Sequence, residues 1–323
     1  MSKFPSLSEL YLNYCQLDSL NPFLGFVNFT SLRVLDLSRN HFNHEIPNWF
    51  SNLSVNLLDL DLSANSLKGE IPPSIFSLRK LRTLYLDSNK LTGKIPESLG
   101  QLKHLTHLNL DNNSLSGPIP SSIGNLSYLK ELQLSENQFN GTIPMTLGLL
   151  SNLEELFIGN NILTGIVDER HFTKLSKLKH LDMSYTHLYF NVNSNWIPPF
   201  QLEYARMSSC KIGPNFPTWL QTQRSIEELY MSHSEISDQA PSWFWNWTSN
   251  IEIIDLSYNL IEGDVSGVVL NSAFIDLSSN HFRGQMPQLL TNVKELYIAN
   301  NSFSRPISSF MCQKMNQKNK LMA

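Results

Sequence analysis

Two pairs of closely spaced histidines are the residues of this 323-residue sequence that most resemble metal ligands. His41 and His44, and His104 and His107, are each three positions apart. On an α-helix, residues three apart lie on one face, where two imidazoles could hold Zn²⁺. In a chain of short strands and loops they would not share a face, so we predict no metal site and no cofactor.

The remaining reactive side chains form no catalytic pattern. The three cysteines, Cys15, Cys210 and Cys312, include no CxxC pair, which argues against a zinc module or a disulfide-dense scaffold. The sequence contains no GxGxxG, GxSxG, Walker or HExxH motif and no set of kinase motifs. We therefore predict that the chain is not an enzyme.

Composition narrows the class of protein further. The hydrophobic share of 41% is too high for a disordered chain. The net charge of -4 and the pI near 6.1 argue against a nucleic-acid partner, since such binders are usually basic. No stretch approaches the ~20 apolar residues of a membrane span.

An internal repeat in the sequence predicts the secondary-structure elements that carry the candidate binding side chains. The string LRVLDLSRN (Leu32–Asn40) has the form LxxLxLxxN and recurs mostly every 24 or 25 residues, with 21 between the last three copies. The other copies begin at Leu7, Leu57, Leu81, Leu105, Leu129, Leu153, Leu178, Leu202, Ile226, Ile251, Ser272 and Val293. These copies make about thirteen repeats, and we predict a single array over residues 1–323.

Each repeat predicts a short strand followed by a turn. Positions one, four and six are apolar and point inward, while the residues between them point outward, as in a β-strand. The Asn at position nine can bond backbone groups of the turn that no strand ladder reaches. Cys15, Thr186, Cys210 and Ser234 replace Asn in this column, and we interpret both cysteines as structural.

A second motif follows the asparagine in several repeats. It reads LKGEIP, LTGKIP, LSGPIP and FNGTIP, ending at Pro72, Pro96, Pro120 and Pro144. The glycine permits a backbone conformation that other residues resist, and the proline can open a helical turn. We therefore predict a β-rich α/β solenoid, a leucine-rich-repeat horseshoe with a concave parallel β-sheet and short helical or 3₁₀ segments on its convex side.

The outward positions of the concave strands are the candidate binding site. Strands ~4.8 Å apart make thirteen repeats a sheet of roughly 60 Å, which suits a protein, peptide or oligosaccharide ligand. Aspartates such as Asp36, Asp61, Asp182 and Asp255 recur at position five, and we interpret them as an exposed structural ladder. Aromatic residues and arginine, the usual anchors of interfaces, interrupt this consensus. They are Phe157, Tyr185, Tyr204, Arg206, Tyr230, His233, Tyr258, Phe274 and Tyr297.

The LxGxIP segment is typical of the plant-specific leucine-rich repeat. The segments WIPPFQLEY (Trp196–Tyr204), ISDQAPSWFWN (Ile236–Asn246) and PISSFMCQKMN (Pro306–Asn316) resemble plant receptor-like proteins of the type that includes the receptor for a fungal xylanase elicitor. The resemblance covers essentially the whole chain. It implies an extracellular ligand-recognition region in defence or developmental signalling, located at the outer face of the plasma membrane. It also implies a membrane receptor-kinase co-receptor and a partner cysteine for Cys312 beyond this chain.

The ends of the sequence predict an array truncated at both ends. The start, MSKFPSLSEL, lacks the apolar segment of a signal peptide, and Leu321 falls where a further repeat would begin. Terminal repeats normally need a polar cap, which neither end provides. We therefore expect signal peptide, cap and membrane span to belong to the full-length protein rather than to this chain.

Two other functions stay open at this stage. A secreted polygalacturonase-inhibitor-like protein would have a similar length but carries capping cysteines, and a truncated product could lack a function of its own. Secretion also predicts N-glycosylation, although a chain this rich in Asn, Ser and Thr contains sequons by chance. The sequons begin at Asn28, Asn52, Asn112, Asn125, Asn140, Asn246 and Asn300.

Overall fold

The computed structural model describes residues 4, 6–19, 29–52, 54–304 and 320–322; the side chains of residues 51, 52, 249 and 320–322 lie outside the description. The chain comprises two compact units, Met1–Leu178 and Lys179–Ala323. Both units are built from short parallel strands linked by turns and single helical segments.

The first unit contains a main sheet and a second, smaller sheet. Its strands are β1 (Glu9–Tyr11), β2 (Val34–Asp36), β3 (Asp59–Asp61), β4 (Lys68–Glu70), β5 (Thr83–Tyr85), β6 (Lys90–Gly93), β7 (His107–Asn109), β8 (Ser114–Gly117), β9 (Glu131–Gln133), β10 (Gln138–Gly141), β11 (Glu155–Phe157) and β12 (Ile162–Val167). The main sheet has the order β1-β2-β3-β5-β7-β9-β11, and the second sheet has the order β4-β6-β8-β10-β12. All neighbouring strands in both sheets are parallel.

The second unit repeats this arrangement with shorter secondary sheets. Its strands are β13 (His180–Asp182), β14 (His187–Phe190), β15 (Tyr204–Arg206), β16 (Glu228–Tyr230), β17 (Ile253–Asp255), β18 (Glu262–Asp264), β19 (Val269–Leu270), β20 (Phe274–Asp276), β21 (His281–Gly284), β22 (Gln288–Leu289), β23 (Glu295–Tyr297), β24 (Ser302–Phe303) and β25 (Lys320–Met322). The main sheet runs β13-β15-β16-β17-β20-β23-β25, and the small sheets are β18-β21-β24 and β19-β22. The predicted β-rich solenoid with a parallel sheet is therefore confirmed.

Most of the short helical segments follow a proline, as predicted from the second motif, whereas Glu169–Phe172 and Thr248–Asn250 do not. The 3₁₀ segments of the first unit are Asn48–Asn52, Pro73–Ser77, Glu97–Gln101, Ser121–Asn125, Met145–Leu149 and Glu169–Phe172. The second unit has Thr218–Thr222, the α-helix α1 (Ser242–Trp247) and Thr248–Asn250. Within the described ranges, no helix has both the length and the hydropathy to cross a bilayer.

The core is a stack of leucine-rich layers, one per repeat. From β2 to β23 the central residue of every main-sheet strand, such as Leu60, Leu132 or Leu229, is at most 4% exposed, while its two neighbours face outward. Because side chains alternate along a strand, this pattern fixes which residues can reach a ligand. Trp219 also joins this core: it is 2% exposed and packs on Phe190 with ring centroids 5.8 Å apart.

The asparagine column forms the predicted hydrogen-bond ladder. Asn89 is typical: its amide donates to the backbone oxygen of Leu62 one repeat earlier at 3.0 Å, and its Oδ1 accepts from the Leu67 backbone N–H at 2.9 Å. The same amide also bonds the backbone oxygens of Leu86 and Asp87 in its own turn. Each asparagine thus closes its own turn and ties two repeats together.

Residues that replace the asparagine keep part of this role. The Cys210 thiol donates to the backbone oxygen of Met183 at 2.9 Å, and the Thr186 hydroxyl donates to the same oxygen at 2.8 Å. Burial raises the pKa of the Cys210 thiol to about 11, which supports a structural role. Cys15 differs because it is exposed; its backbone N–H donates to Asn40 Oδ1 at 3.0 Å. Cys312 lies outside the described residues.

Candidate ligand-binding face

The parallel strands bring equivalent repeat positions into straight columns. In the second unit Tyr204 of β15 is level with Glu228 of β16, and Arg206 is level with Tyr230. Neighbouring strands lie ~4.8 Å apart, so side chains in one column touch along the sheet. We call the solvent side of the β13–β23 strands, with the residue preceding each strand and the turn following it, the sheet face of the second unit.

Arg206 lies on β15, the second strand of this sheet face. Its Nη2 donates to Glu228 Oε2 at 2.7 Å, and its guanidinium carbon lies 5.3 Å from the centre of the Tyr230 ring. Burial first, and then the charge of Glu228, raises the pKa of the Tyr230 hydroxyl, which therefore stays a neutral hydrogen-bonding group near pH 7. The arrangement holds a partly exposed guanidinium between a carboxylate and an aromatic face, as in a preformed interface anchor.

Tyr204, Phe274 and Tyr297 extend the same surface, and each is half-buried. The Tyr204 ring lies 4.6 Å from that of His180 on the preceding strand. At the other end the Phe274 and Tyr297 rings are 5.4 Å apart, and the Tyr297 hydroxyl donates to Glu295 Oε2 at 2.7 Å. These strand residues therefore have the outward orientation predicted for them.

Three predicted site residues are not on strands, which corrects the sequence interpretation. Tyr185, His233 and Tyr258 are at position eight of the repeat, in the turn after the strand. All three have φ between 53° and 55°, in the left-handed region. They are exposed, and the His233 and Tyr258 rings stack with centroids 4.4 Å apart. They lie in the turns at the edge of the sheet face rather than on its strands.

Phe157 is separate from the other predicted residues. It is the outward third residue of β11 in the first unit and is half-buried. Sequence reasoning missed two tyrosines at the same repeat position in that unit, Tyr11 and Tyr85, and Tyr14 at position eight. Comparing every repeat at one fixed position would have found all three.

The aspartates at position five stabilise turns. Asp61 Oδ1 accepts from the Ser63 backbone N–H at 2.8 Å, and Asp182 Oδ1 accepts from that of Ser184 at 2.8 Å. Burial is the main cause that raises the pKa of both carboxyl groups. The row of aspartates that was predicted to be exposed is thus half-buried, because each carboxylate accepts a hydrogen bond from the turn that follows it.

The histidine pairs have structural contacts. His107 Nε2 lies 3.2 Å from Glu131 Oε1 on the next strand, and His104 stacks on Tyr128. In the part of the chain that is described, no three His, Cys, Asp or Glu residues are grouped so that they could hold a metal ion.

The described sequon asparagines are accessible. Asn112, Asn125, Asn140, Asn246 and Asn300 are all exposed. Asn28 and the side chain of Asn52 lie outside the described residues.

Comparison with known proteins agrees with this architecture. The family described as leucine-rich repeat region matches residues 10–240. Receptor-like protein EIX2 of Solanum lycopersicum is 44% identical over 148 residues, which cover 45% of this chain and 14% of that protein. The chain thus spans only a small part of the length of this relative.

Solved structures resemble nearly the whole chain. The leucine-rich-repeat ectodomain of the plant membrane receptor kinase GASSHO1/SCHENGEN3 from Arabidopsis thaliana superimposes with a TM-score of 0.85 at 30% identity, over 94% of this chain and 37% of that one. PEPR1, in its structure with AtPEP1, gives a TM-score of 0.80 at 31% identity, over 94% and 43%. The chain therefore belongs to the leucine-rich repeat family, and the resemblance to plant leucine-rich-repeat receptor-like proteins noted from its sequence is confirmed.

Proposed function

We propose that the chain is the ligand-recognition region of an extracellular plant receptor-like protein and that it is not catalytic. The observation that carries this proposal is the placement of Tyr204 and Arg206 on β15 beside Tyr230 on β16, with Arg206 level with Tyr230. Three anchor-type side chains on a rigid sheet form a surface that can bind a ligand without large rearrangement.

The related structures support a ligand of peptide or protein type. The GASSHO1/SCHENGEN3 ectodomain was solved in complex with Casparian strip integrity factor 2, and PEPR1 was solved with AtPEP1. We propose the same kind of ligand for this chain in preference to an oligosaccharide. In the full-length protein the region lies at the outer face of the plasma membrane, and a membrane receptor kinase acts as co-receptor in defence or developmental signalling.

The sheet face can be tested without knowing the natural ligand. A phage-displayed library of random dodecapeptides is panned on the full chain and on a Tyr204→Ala/Arg206→Ala/Tyr230→Ala variant. We expect peptide enrichment on the wild-type chain and its loss on the variant, because the substitutions remove the three anchors but no core side chain. Circular dichroism and a thermal melt establish that the variant is folded.

Tyr128→Ala is the matched control. Tyr128 is 56% exposed and precedes its repeat motif rather than contributing to the sheet face of the second unit. The control should enrich the same peptides as the wild type. Equal enrichment on the folded triple variant would refute the proposed binding face.

A further inference from the structure

The sheet face of the second unit carries far more carboxylates than cations. The carboxylates on its strands or immediately before them are Asp182, Glu203, Glu227, Glu228, Glu252, Asp255, Asp276 and Glu295, and the matching cations are Lys179, Arg206 and Lys294. The difference from the first unit lies at the position immediately before the strands. In the first unit this position carries Arg33, Arg82 and Lys130 against Glu154, whereas in the second it carries Glu203, Glu227 and Glu252 against Lys179 and Lys294.

Most of these charges already have partners within the face. Lys179 Nζ lies 3.2 Å from Glu203 Oε1, and Arg206 is bonded to Glu228. The aspartates are bound to the turns that follow them, as Asp255 Oδ1 is to the Ser257 N–H at 2.9 Å. Two of the three cations are thus paired, Lys294 forms no ion pair among the described residues, and part of the negative charge is left over.

Glu227 and Glu252 carry this remaining charge. Both are exposed, and neither forms an ion pair among the residues that the structure describes. The Glu252 backbone N–H donates to the Glu227 backbone oxygen at 2.8 Å, so the two residues occupy the same position on adjacent strands. The two side chains therefore leave the backbone at neighbouring positions, where β16 and β17 begin.

Tyr204 lies within the electrostatic field of Glu227. The charge of Glu227 is the largest cause that raises the pKa of the Tyr204 hydroxyl, ahead of burial and Glu228. Glu227 precedes β16 directly, and the Tyr230 ring is on the same strand. An occupant of the face would meet carboxylate oxygens along one edge and aromatic rings beside them.

Resting on the proposed function, we infer that the sheet face of the second unit binds a positively charged peptide segment, with a lysine or arginine side chain at Glu227 and Glu252. Carboxylates give charge-assisted hydrogen bonds to ammonium and guanidinium groups, and tyrosine faces attract the same cations. An acidic or phosphorylated segment would meet like charge along this edge and would be disfavoured.

The test uses the same peptide selection with charge as the readout. Peptides enriched on the wild-type chain should carry more lysine and arginine than the unselected library. A Glu227→Gln/Glu252→Gln variant should lose this bias and bind an individual enriched peptide about fivefold more weakly, as expected for two exposed ion pairs. The peptide affinity of the wild type should also fall as salt rises from 20 mM to 300 mM.

A matched control separates this local effect from net charge. Glu235 is an exposed carboxylate of the same unit, off the strands, and pairs with Lys211 at 3.1 Å. The variant Glu235→Gln changes net charge without touching the sheet face, so it should retain the bias toward basic peptides.

The remaining outcomes distinguish the two proposals. Neutral or acidic enriched peptides that still require Tyr204, Arg206 and Tyr230 would overturn the charge preference and leave the binding face intact. Enrichment that ignores both sets of substitutions would refute the binding face and, with it, the inference drawn from it.

Discussion

Asn137 is hydrogen bonded to Leu110, which lies 27 positions earlier: the asparagine Nδ2 donates to the leucine backbone oxygen at 2.9 Å. Its Oδ1 accepts from the Leu115 backbone N–H at 3.0 Å. The side chain is buried, so these backbone groups have no access to water in its absence. One amide thus completes the hydrogen bonding of the turns on which two repeats depend.

Replacing this amide should destabilise the first unit strongly. In Asn137→Ala the Leu110 oxygen and the Leu115 N–H lose their partner, and each buried unsatisfied group costs about 1–3 kcal/mol. We expect the free energy of unfolding to fall by about 3 kcal/mol in urea denaturation. Gln138→Ala, which shortens an exposed neighbouring side chain, should change it by less than about 0.5 kcal/mol. If the two variants lost similar amounts of unfolding free energy, the stabilising role of the asparagine hydrogen-bond ladder would be contradicted.

The two described cysteines should differ sharply in reactivity. Cys210 is fully buried with a pKa raised to about 11, so at pH 8 almost none of it is thiolate, whereas Cys15 is exposed. Iodoacetamide treatment of the native chain followed by peptide mass spectrometry should show Cys15 alkylated and Cys210 protected. In 6 M guanidinium chloride both should react. Rapid native alkylation of Cys210 would contradict its place in the ladder.

The repeat pattern was sufficient to predict the ladder and the core. Asn89 and Asn137 recur at a fixed position after an apolar triplet, and a periodic polar residue beside a buried strand can be assigned to backbone hydrogen bonding from spacing alone. The outward orientation of Tyr204 and Arg206 follows from the same alternation. These predictions hold because each depends on residues within one repeat or the next.

Two features escaped prediction for physical reasons. The second sheet is built from segments such as Ser114–Gly117, whose sequence SLSG is too short and polar to show a strand period. Tyr185 was placed on a strand because the pattern does not mark where a strand of three residues ends. The left-handed turn at position eight has no fixed residue type, since Arg39, Ala64 and His233 all adopt it.

That left-handed turn predicts a stabilising substitution. Ala64 has φ 50° and is half-buried, and a non-glycine residue in this region carries about 1–2 kcal/mol of strain. Glycine removes the strain but adds entropy to the unfolded chain. We expect Ala64→Gly to raise the free energy of unfolding by roughly 0.5 kcal/mol.

The matched control for Ala64→Gly is Ala205→Gly. Ala205 is the buried central residue of β15, where glycine loses packing and gains no relief of strain. The control should destabilise by about 1 kcal/mol. Thermal melts of both variants show whether each substitution stabilises or destabilises the chain. Destabilisation by Ala64→Gly would contradict the left-handed conformation assigned to Ala64.

Asp168 gives the chain a defined response to acid. It caps the 3₁₀ segment Glu169–Phe172 by accepting from the Arg170 N–H at 3.0 Å, and the Arg170 guanidinium binds the same carboxylate. The hydrogen bond from Arg170 is the main cause that lowers the pKa of Asp168 to about 2, below its ordinary value of 3.8. Because the folded-state pKa is the lower one, the contribution to stability is complete above about pH 5 and is lost progressively as pH falls through 2.

Asp168→Asn should therefore lose stability only where the carboxylate is charged. The amide oxygen can still accept from the backbone, so the change removes the charge and keeps the cap. We expect the variant to be less stable than the wild type by about 0.5–1 kcal/mol at pH 6, with the difference becoming steadily smaller as pH falls to 2. Urea denaturation at pH 6, 4, 3 and 2 measures it.

Glu136→Gln, which removes an exposed carboxylate without an ion pair among the described residues, should show a small difference that does not vary in this way. A difference for Asp168→Asn that is constant between pH 6 and pH 2 would mean that the charge of Asp168 does not stabilise the folded chain.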